Sequence, residues 1–491
     1  MKRVALALAV LVVLLAGAGA AYYLHVKQQS RDVRGSSTVE FVTTQEAVPA
    51  RPKEPGVAWP TYGHDPQRLR FANGVALAPP FKRAWTYRAR TLVEFPPAVA
   101  YGRLYFANNA GVLFAIGAKN GRKAWQYVSH RCVAASPAVA GHVVYETFLN
   151  APPCNRKPSG QLTGELIAFT VGSGRVLWRK RIYPSESSPV VAAGSVFVGD
   201  WSGRVYAFKQ RSGKLRWVRK LRGQVKSGVS IAGEQLYVGD YSGHVYSLDI
   251  RSGKIVWQAK AQPRFGHAGN FYGSPAVAYG RVYIGATDGK MYSFGAASGK
   301  LRWSQSTGGF VYASPAVWRD RVFAGSYSHR FFAFDAATGA ILWQFKANGP
   351  ISGSATVVAG RVYFATLKGT TYALDAISGR PVWTFPDGKY SPVVADAARL
   401  YLIGNARLYG LDELRKRSAR KLSAVTALRV LRRAGFRHVR VIGTRPLALR
   451  LGKDHKRARR NVCHIALFGA EVNVKRGAAA LAEACGRVNP R

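Results

Sequence analysis

From residue 59 to residue 413 the chain alternates apolar and polar positions in short runs, each closed by a turn signal, and the order of runs repeats. In the clearest copy, Ser274-Pro275-Ala276-Val277 leads to Gly280-Arg281-Val282-Tyr283-Ile284-Gly285. Asp288-Gly289-Lys290-Met291-Tyr292-Ser293-Phe294 and Ser298-Gly299-Lys300-Leu301-Arg302-Trp303 complete it. Alternation with a period of two predicts half-buried strands. The first run is rich in small residues (Ala138, Ala276, Ala278, Ala316), as a strand near a crowded axis requires. The second and third carry β-branched and aromatic side chains, as at Val205, Tyr206 and Phe208. Ser-Gly-Lys at 212–214, 252–254 and 298–300 supplies hairpin turns in which Gly can take positive φ. The closing Trp recurs at Trp85, Trp125, Trp178, Trp217, Trp257, Trp303, Trp343 and Trp383, at spacings of 40, 53, 39, 40, 46, 40 and 40 residues. Four strands on a period near 40 predict an all-β chain folded as a β-propeller. A Trp repeated in this way is a scaffold residue that wedges between blades.

Seven repeats close with their own Trp, from Trp125 to Trp383. An eighth starts at Ser391-Pro392-Val393-Val394, continues through Leu400-Tyr401-Leu402-Ile403 and Arg407 to Leu411, and stops after Asp412 without a Trp. The run Phe81 to Tyr87, with Trp85, precedes the first repeat and is expected to complete the last blade. The expectation is therefore eight blades, with seven as the alternative. Closure of the ring leaves only short, protected edges.

The pattern changes at both ends. Behind Met1-Lys2-Arg3, Val4 to Val26 is apolar apart from Tyr22, Tyr23 and His25. That length can cross a bilayer as a helix, and the basic start places the rest outside the cytoplasm. Residues 1–26 are read as a single-pass signal anchor in a bacterial cytoplasmic membrane. A signal peptide cleaved near Ala18-Gly19-Ala20, which would release a secreted chain, stays open. Residues 27–58 are polar, with Pro49, Pro52 and Pro55, and predict a flexible linker with a stiffer end. Trp59 to Pro66 opens the folded part, and His64 and Asp65 within it read as turn and packing residues. Residues 414–491 hold 21 Lys or Arg against three acidic residues. Helical spacing from Leu422 to Ala434, strands at His438–Ile442 and Leu447–Leu451, a strand or hairpin at Asn461–Val474 and an Ala-rich helix at Lys475–Val488 predict a small basic α+β domain.

The run Ala333-Phe334-Asp335-Ala336-Ala337-Thr338-Gly339-Ala340-Ile341-Leu342-Trp343, and its copy from Ala373 to Trp383, resemble the repeat of quinoprotein-type (PQQ-like) propellers. The resemblance covers about residues 59–413. It implies one of two branches: dehydrogenases that use pyrroloquinoline quinone (PQQ), or non-enzymatic scaffolds of the BamB type, which belong to outer-membrane assembly. The lipid-attachment Cys of a BamB-like lipoprotein is missing, since the first Cys is Cys132.

The dehydrogenase branch implies a calcium ion ligated by Glu, Asn and Asp, a catalytic Asp and often two adjacent cysteines. No two cysteines are adjacent here. Asp200, Asp240, Asp249, Asp335 and Asp375 recur at turn positions, which points to structural roles, and no single loop offers the acidic cluster that calcium prefers. No catalytic, cofactor-binding or metal-binding residue is assigned, and PQQ with calcium belongs to the alternative reading only. His464 beside Cys463 lacks partners at metal-ligand spacing.

Strand order puts the loops between blades, and those joining second and third strands, on one face. Both long insertions, Glu146 to Gly164 and Gln262 to Gly273, fall on that face, as do Trp201, Tyr241, Phe310, Tyr312 and Tyr327. With Arg264, His267 and Asn270 from the second insertion, these form the candidate binding face. An even count of four Cys in an exported chain predicts the disulfides Cys132–Cys154 and Cys463–Cys485. The formal net charge is +48, spread over propeller and tail. Export makes nucleic acid an improbable partner for Lys456-Arg457-Ala458-Arg459-Arg460; a cell-envelope protein or anionic polymer fits better. The reading is a membrane-anchored scaffold for cell-envelope partners, with a PQQ-dependent oxidoreductase or a small-ligand sensor as alternatives. Oligomeric state is not readable.

Overall fold

The computed structural model describes residues 2–43, 54–154, 160–264, 269–391, 393–414, 439–442 and 448–451. Eight sheets surround an axis; in seven of them four antiparallel strands follow one another in sequence as a meander, and two sheets gain a fifth strand from the segment before the ring. Their innermost strands are Ala98–Ala100, Ala138–Ala140, Val190–Ala192, Ser230–Ala232, Ala276–Ala278, Ala316–Trp318, Thr356–Val358 and Val393–Ala395, numbered here as blades 1 to 8. The predicted closure is present. Phe81–Arg88 pairs antiparallel with Arg407–Glu413 and becomes the outermost strand of blade 8. The chain ends of the ring are thus fastened by backbone hydrogen bonds, and no unpaired repeat remains.

The repeated Trp joins blades in the way its recurrence implies. Trp303, fully buried, donates from Nε1 to Ala336 O of blade 6 at 2.9 Å. Trp85, Trp125, Trp178, Trp217 and Trp257 make the same bond to the following blade. Gly339 shows why the turn facing the indole is Gly: its φ is +74°, and a Cβ would lie 2.6 Å from the Trp303 ring. The recurrent aspartates are structural. Asp335 Oδ1 accepts from Thr338 N and Thr338 Oγ1 at 2.8 and 2.7 Å, and Asp200 and Asp240 each cap their own second hairpin and accept from a buried Tyr.

The axial channel is filled by the segment that enters the ring. Val57–Trp59 pairs with the innermost strand of blade 1. The carbonyls of Pro60, Pro66, Gln67, Leu69 and Arg70 then accept from Val139, Ile231, Val277, Val317 and Val357, one inner strand after another. Phe71–Ala72 ends the segment as a parallel partner of blade 7. Inner-edge N–H groups would otherwise be buried without acceptors, so the plug satisfies them. His64 and Asp65 serve this turn: His64 packs edge-on against Trp59, and Asp65 Oδ1 accepts from Leu69 N at 3.2 Å.

Two expectations change. The apolar N-terminal helix, α1, runs from Lys2 to Gln29, beyond the expected end at residue 26. Residues 30–43, read as flexible linker, instead lie along blade 5 as a strap: Val33 bridges Ser304, Phe41 stacks on Tyr279 and Glu40 pairs with Arg302. Two of the acidic side chains that suggested a solvated tether, Asp32 and Glu40, have fixed partners on the blade in Lys290, Ser306, Ser298 and Arg302.

The chain divides into two units, 1–413 and 414–491. In the second, Val439–Ile442 and Ala448–Leu451 form an antiparallel hairpin, matching the two strands expected there. The predicted helices, the 461–474 element and the Cys463–Cys485 pair lie outside the described residues.

Candidate functional site

Above the plug, on the face carrying the insertions, the inner loops enclose a cavity of about 230 Å³. Its floor is Tyr62, whose hydroxyl shares a 2.7 Å hydrogen bond with Ser354. Its rim is built from the residues just before each innermost strand. There the backbone N–H of Ser136, Ser274 and Ser314 donates to the hydroxyl of Ser188, Ser314 and Ser354 on the next blade, at 2.9, 2.8 and 3.0 Å. These hydroxyls form a belt around the axis. Blade 4 has Gly228 in place of Ser. The Arg68 guanidinium from the plug fills the vacated space, donating to Ser188 O at 2.9 Å and Val229 O at 2.6 Å. Arg68 and Arg70 are both buried. Burial, then the neighbouring Arg70, lowers Arg68 to about 9. Burial is the largest single influence on the Tyr62 phenol and pushes it up, but the Arg70 guanidinium and the Ser354 and Ser314 hydroxyls together outweigh it and the net shift is downward.

The residue two positions before the belt position lines the cavity in most blades. It is Glu94, Glu186, Lys226, Tyr272, Tyr312 and Ser352 in six of the blades. Burial raises the Glu186 carboxyl to about 7, aided by Glu94 and opposed by Lys226, whose Nζ lies 3.8 Å away. Burial also raises Glu94. Tyr272, held up by burial and by both carboxylates, approaches Glu186 Oε2 at 3.5 Å. Such a site offers one carboxyl poised to change charge near neutrality beside a fixed ammonium group.

Five of the candidate residues belong to one surface around this cavity. Lys226 Nζ sits 4.6 Å over the Trp201 ring and 5.0 Å over Tyr241. Ring contacts then continue from Tyr241 to Tyr272 (6.0 Å), Tyr312 (5.3 Å) and Tyr327 (5.2 Å), with Phe310 6.0 Å from Tyr312. Trp201 is buried, whereas Phe310 is 48% exposed. Arg264 and Asn270 do not enter the cavity: Arg264 lies at the outer rim, donating to Asp288 O, and Asn270 is tied through its backbone to Thr287. His267 lies outside the described residues. Glu94, Glu186, Lys226, Tyr272 and Tyr62 were not among the residues singled out from sequence. Aligning the repeats on their common period, with Pro96 and Gly228 in the place of the Ser, would have exposed the first four as a polar column in the frame. The Cys132–Cys154 disulfide is formed and clamps the first insertion, with Leu149 and Trp201 packed against it.

The family described as outer membrane protein assembly factor BamB matches residues 78–163, 162–309, 241–384 and 305–412. The chain belongs to this PQQ-like propeller family. Among curated relatives, BamB of Yersinia pestis is 27% identical over 135 residues, covering 25% of this chain and 31% of that protein. Quinoprotein alcohol dehydrogenase PedH of Pseudomonas putida is 24% identical over 144 residues, covering 25% of this chain and 22% of that protein. The chain thus matches less than a third of the length of either. The BamB structure from Moraxella catarrhalis superposes with TM-score 0.56 at 17% identity, over 69% of this chain and 99% of that one. The quinohemoprotein alcohol dehydrogenase of Comamonas testosteroni gives 0.60 at 14%, over 72% and 80%. At these identities the likeness is one of fold.

The dehydrogenase relatives raise the question of quinone and calcium. Calcium takes about six to eight oxygen ligands. The cavity brings two carboxylates, Glu94 and Glu186, and the second faces Lys226. No group of three or more His, Cys, Asp or Glu with metal-site geometry occurs among the described residues. At about 230 Å³ the space is also below the roughly 300–1,000 Å³ of pockets for drug-sized ligands. The donor set does not fit the quinone–calcium pair.

Proposed function

We propose that this propeller is a membrane-anchored, extracytoplasmic scaffold that binds cell-envelope partners through its elaborated face. One observation carries the reading: the aromatic arc from Tyr241 to Phe310 is continuous across blades 4 to 6 and opens to solvent at Phe310. Aromatic side chains are enriched at the cores of protein interfaces, where they bury large area at low entropic cost. The mismatch between the cavity donors and a calcium–quinone pair supports a non-enzymatic role. Anchoring is supported by α1, whose stretch Val10–Gln29 has mean hydropathy 1.6 and is long enough to cross the hydrocarbon core. A disulfide suits an oxidising compartment. The relatives named for outer membrane protein assembly make an envelope protein the first partner class to test.

The test places a photo-crosslinking amino acid at Tyr241 or Tyr327 of the full chain in its native envelope. Position Ser252, on the turn of the opposite face, is the control. Discrete protein adducts at 241 and 327, absent at 252, are expected. Equal, featureless labelling at all three would overturn the scaffold reading.

A further inference from the structure

Helix α1 and the propeller are joined without slack. Gln262 Nε2 donates to the carbonyls of Gln29 and Arg31 at 2.9 Å each, and Lys290 Nζ donates to Ser30 O at 2.5 Å. The Asp32 carboxylate lies 3.0 Å from Lys290 Nζ and accepts from Ser306 Oγ at 2.7 Å. Val33 then bridges Ser304 on the outermost strand of blade 5. Further along, the buried Arg281 guanidinium donates to the carbonyls of Ser36, Val39 and Glu40. The Gln29 carbonyl at the end of the apolar helix is therefore capped by Gln262 from the insertion before blade 5, and the strap removes the freedom that a tether would give.

This fixes what lies beside the helix end. A groove runs from Ser30 past Gln262 and Arg264 to Phe310. Pro263 and Arg264 line it and are exposed, Phe310 is 48% exposed, and Lys27 and Arg31 are exposed at the helix end, within three residues of Ser30 in the chain. The acidic groups in the same place are engaged: Asp32 with Lys290, and Asp288 with Tyr292 and the Lys290 amide. Lys27 and Arg31 at the end of the apolar span, Arg264, which donates to Asp288 O, and the Phe310 ring are all exposed there.

We propose that this rim of blade 5 contacts the membrane, with Phe310 in the headgroup zone and Lys27, Arg31 and Arg264 against anionic phospholipid headgroups. The proposal rests on the reading of α1 as a membrane span. Aromatic rings favour the membrane–water boundary, and basic side chains close to a span are drawn to anionic lipid. The aromatic arc begins at Phe310, so it would rise from the membrane surface to the cavity. A partner held there would approach along the bilayer.

The experiment uses the full chain in vesicles of phosphatidylglycerol and phosphatidylcholine, with benzoylphenylalanine at position 310. Ser212, exposed on the opposite face of blade 3, carries the probe in the control. Mass spectrometry should find lipid adducts at 310 and only background at 212. Arg264→Ala should lower the adduct yield about fivefold, the factor for one basic side chain near an anionic surface. Background yield at 310, in chain that resists alkaline carbonate extraction, overturns the rim contact and leaves the anchor standing. Extraction of the chain by carbonate overturns the anchor, and the proposal with it.

Discussion

Glu186→Gln offers a test of the cavity in which sign and size follow from the site. The Glu186 side chain is 12% exposed, and its carboxyl is raised from 4.5 to about 7, first by burial and then by Glu94 against the pull of Lys226. In the unfolded chain the group loses its proton near the ordinary carboxylate value; in the folded chain it keeps it until about 7. Between those values the folded state holds the extra proton, so stability falls as pH rises. Below 4.5 the group is neutral in both states and imposes no penalty. Above 7 the full penalty is present, and a shift of this size is worth about 3 kcal/mol at 1.36 kcal/mol per pH unit. Gln is neutral at every pH and matches the protonated carboxyl in shape. The variant should therefore equal the parent at pH 4 and exceed it by up to about 3 kcal/mol at pH 8. Urea unfolding of both full chains in detergent, followed by Trp fluorescence across that range, measures the difference curve. Taking the difference cancels the titrating groups that do not interact with Glu186. A flat difference, or a gain confined to acid pH, would refute the burial argument and with it the closed character of the cavity.

Other consequences are more local. Gly228→Ser would restore the belt residue found in the neighbouring repeats, yet it should destabilise by about 1–3 kcal/mol, since a Cβ there lies 2.5 Å from Arg68 Nη2; a gain in thermal midpoint would refute the plug geometry. Trp303→Ala should cost about 3–5 kcal/mol from the cavity it opens, whereas Trp303→Phe should cost about 1 kcal/mol for the lost bond to Ala336 O, read by denaturant midpoints. Replacing Cys132 and Cys154 together by Ser should cost about 3 kcal/mol for a separation of 22 residues, measured in the same way; no change would mean that the insertion is already held by its packing.

Much of the ring was legible because its signals are local. Turn residues, alternation and Trp spacing sit within one period, and each blade is a meander of neighbours in sequence. Closure through Trp85 was legible too, by elimination: one strand was spare and one blade lacked its fourth. The strap was not. Asp32 and Glu40 look like solvated linker residues until Lys290 and Arg302, more than 250 positions away in sequence, are brought beside them. The cavity column was partly legible. Glu94, Glu186 and Lys226 hold equivalent positions in a repeating frame, but the frame alone does not say that this position faces the axis.

The sequence by itself determined the repeat, the order of the strands within a blade and the face that carries the insertions. These follow from side-chain periodicity and turn chemistry, which act over a few residues. The sequence left eight or seven blades, which the pairing of Phe81–Arg88 with Arg407–Glu413 resolved as eight. The tertiary structure alone decided what the closed ring encloses. Only closure turns eight separate inner edges into a channel whose N–H groups need acceptors, and the plug of residues 57–72 pairs with those of blades 1, 2, 4, 5, 6 and 7. Only closure brings two carboxyls and one ammonium from three loops into one cavity, where burial raises the Glu186 carboxyl to about 7. Burial is a property of the assembled ring, and no run of the chain carries it alone.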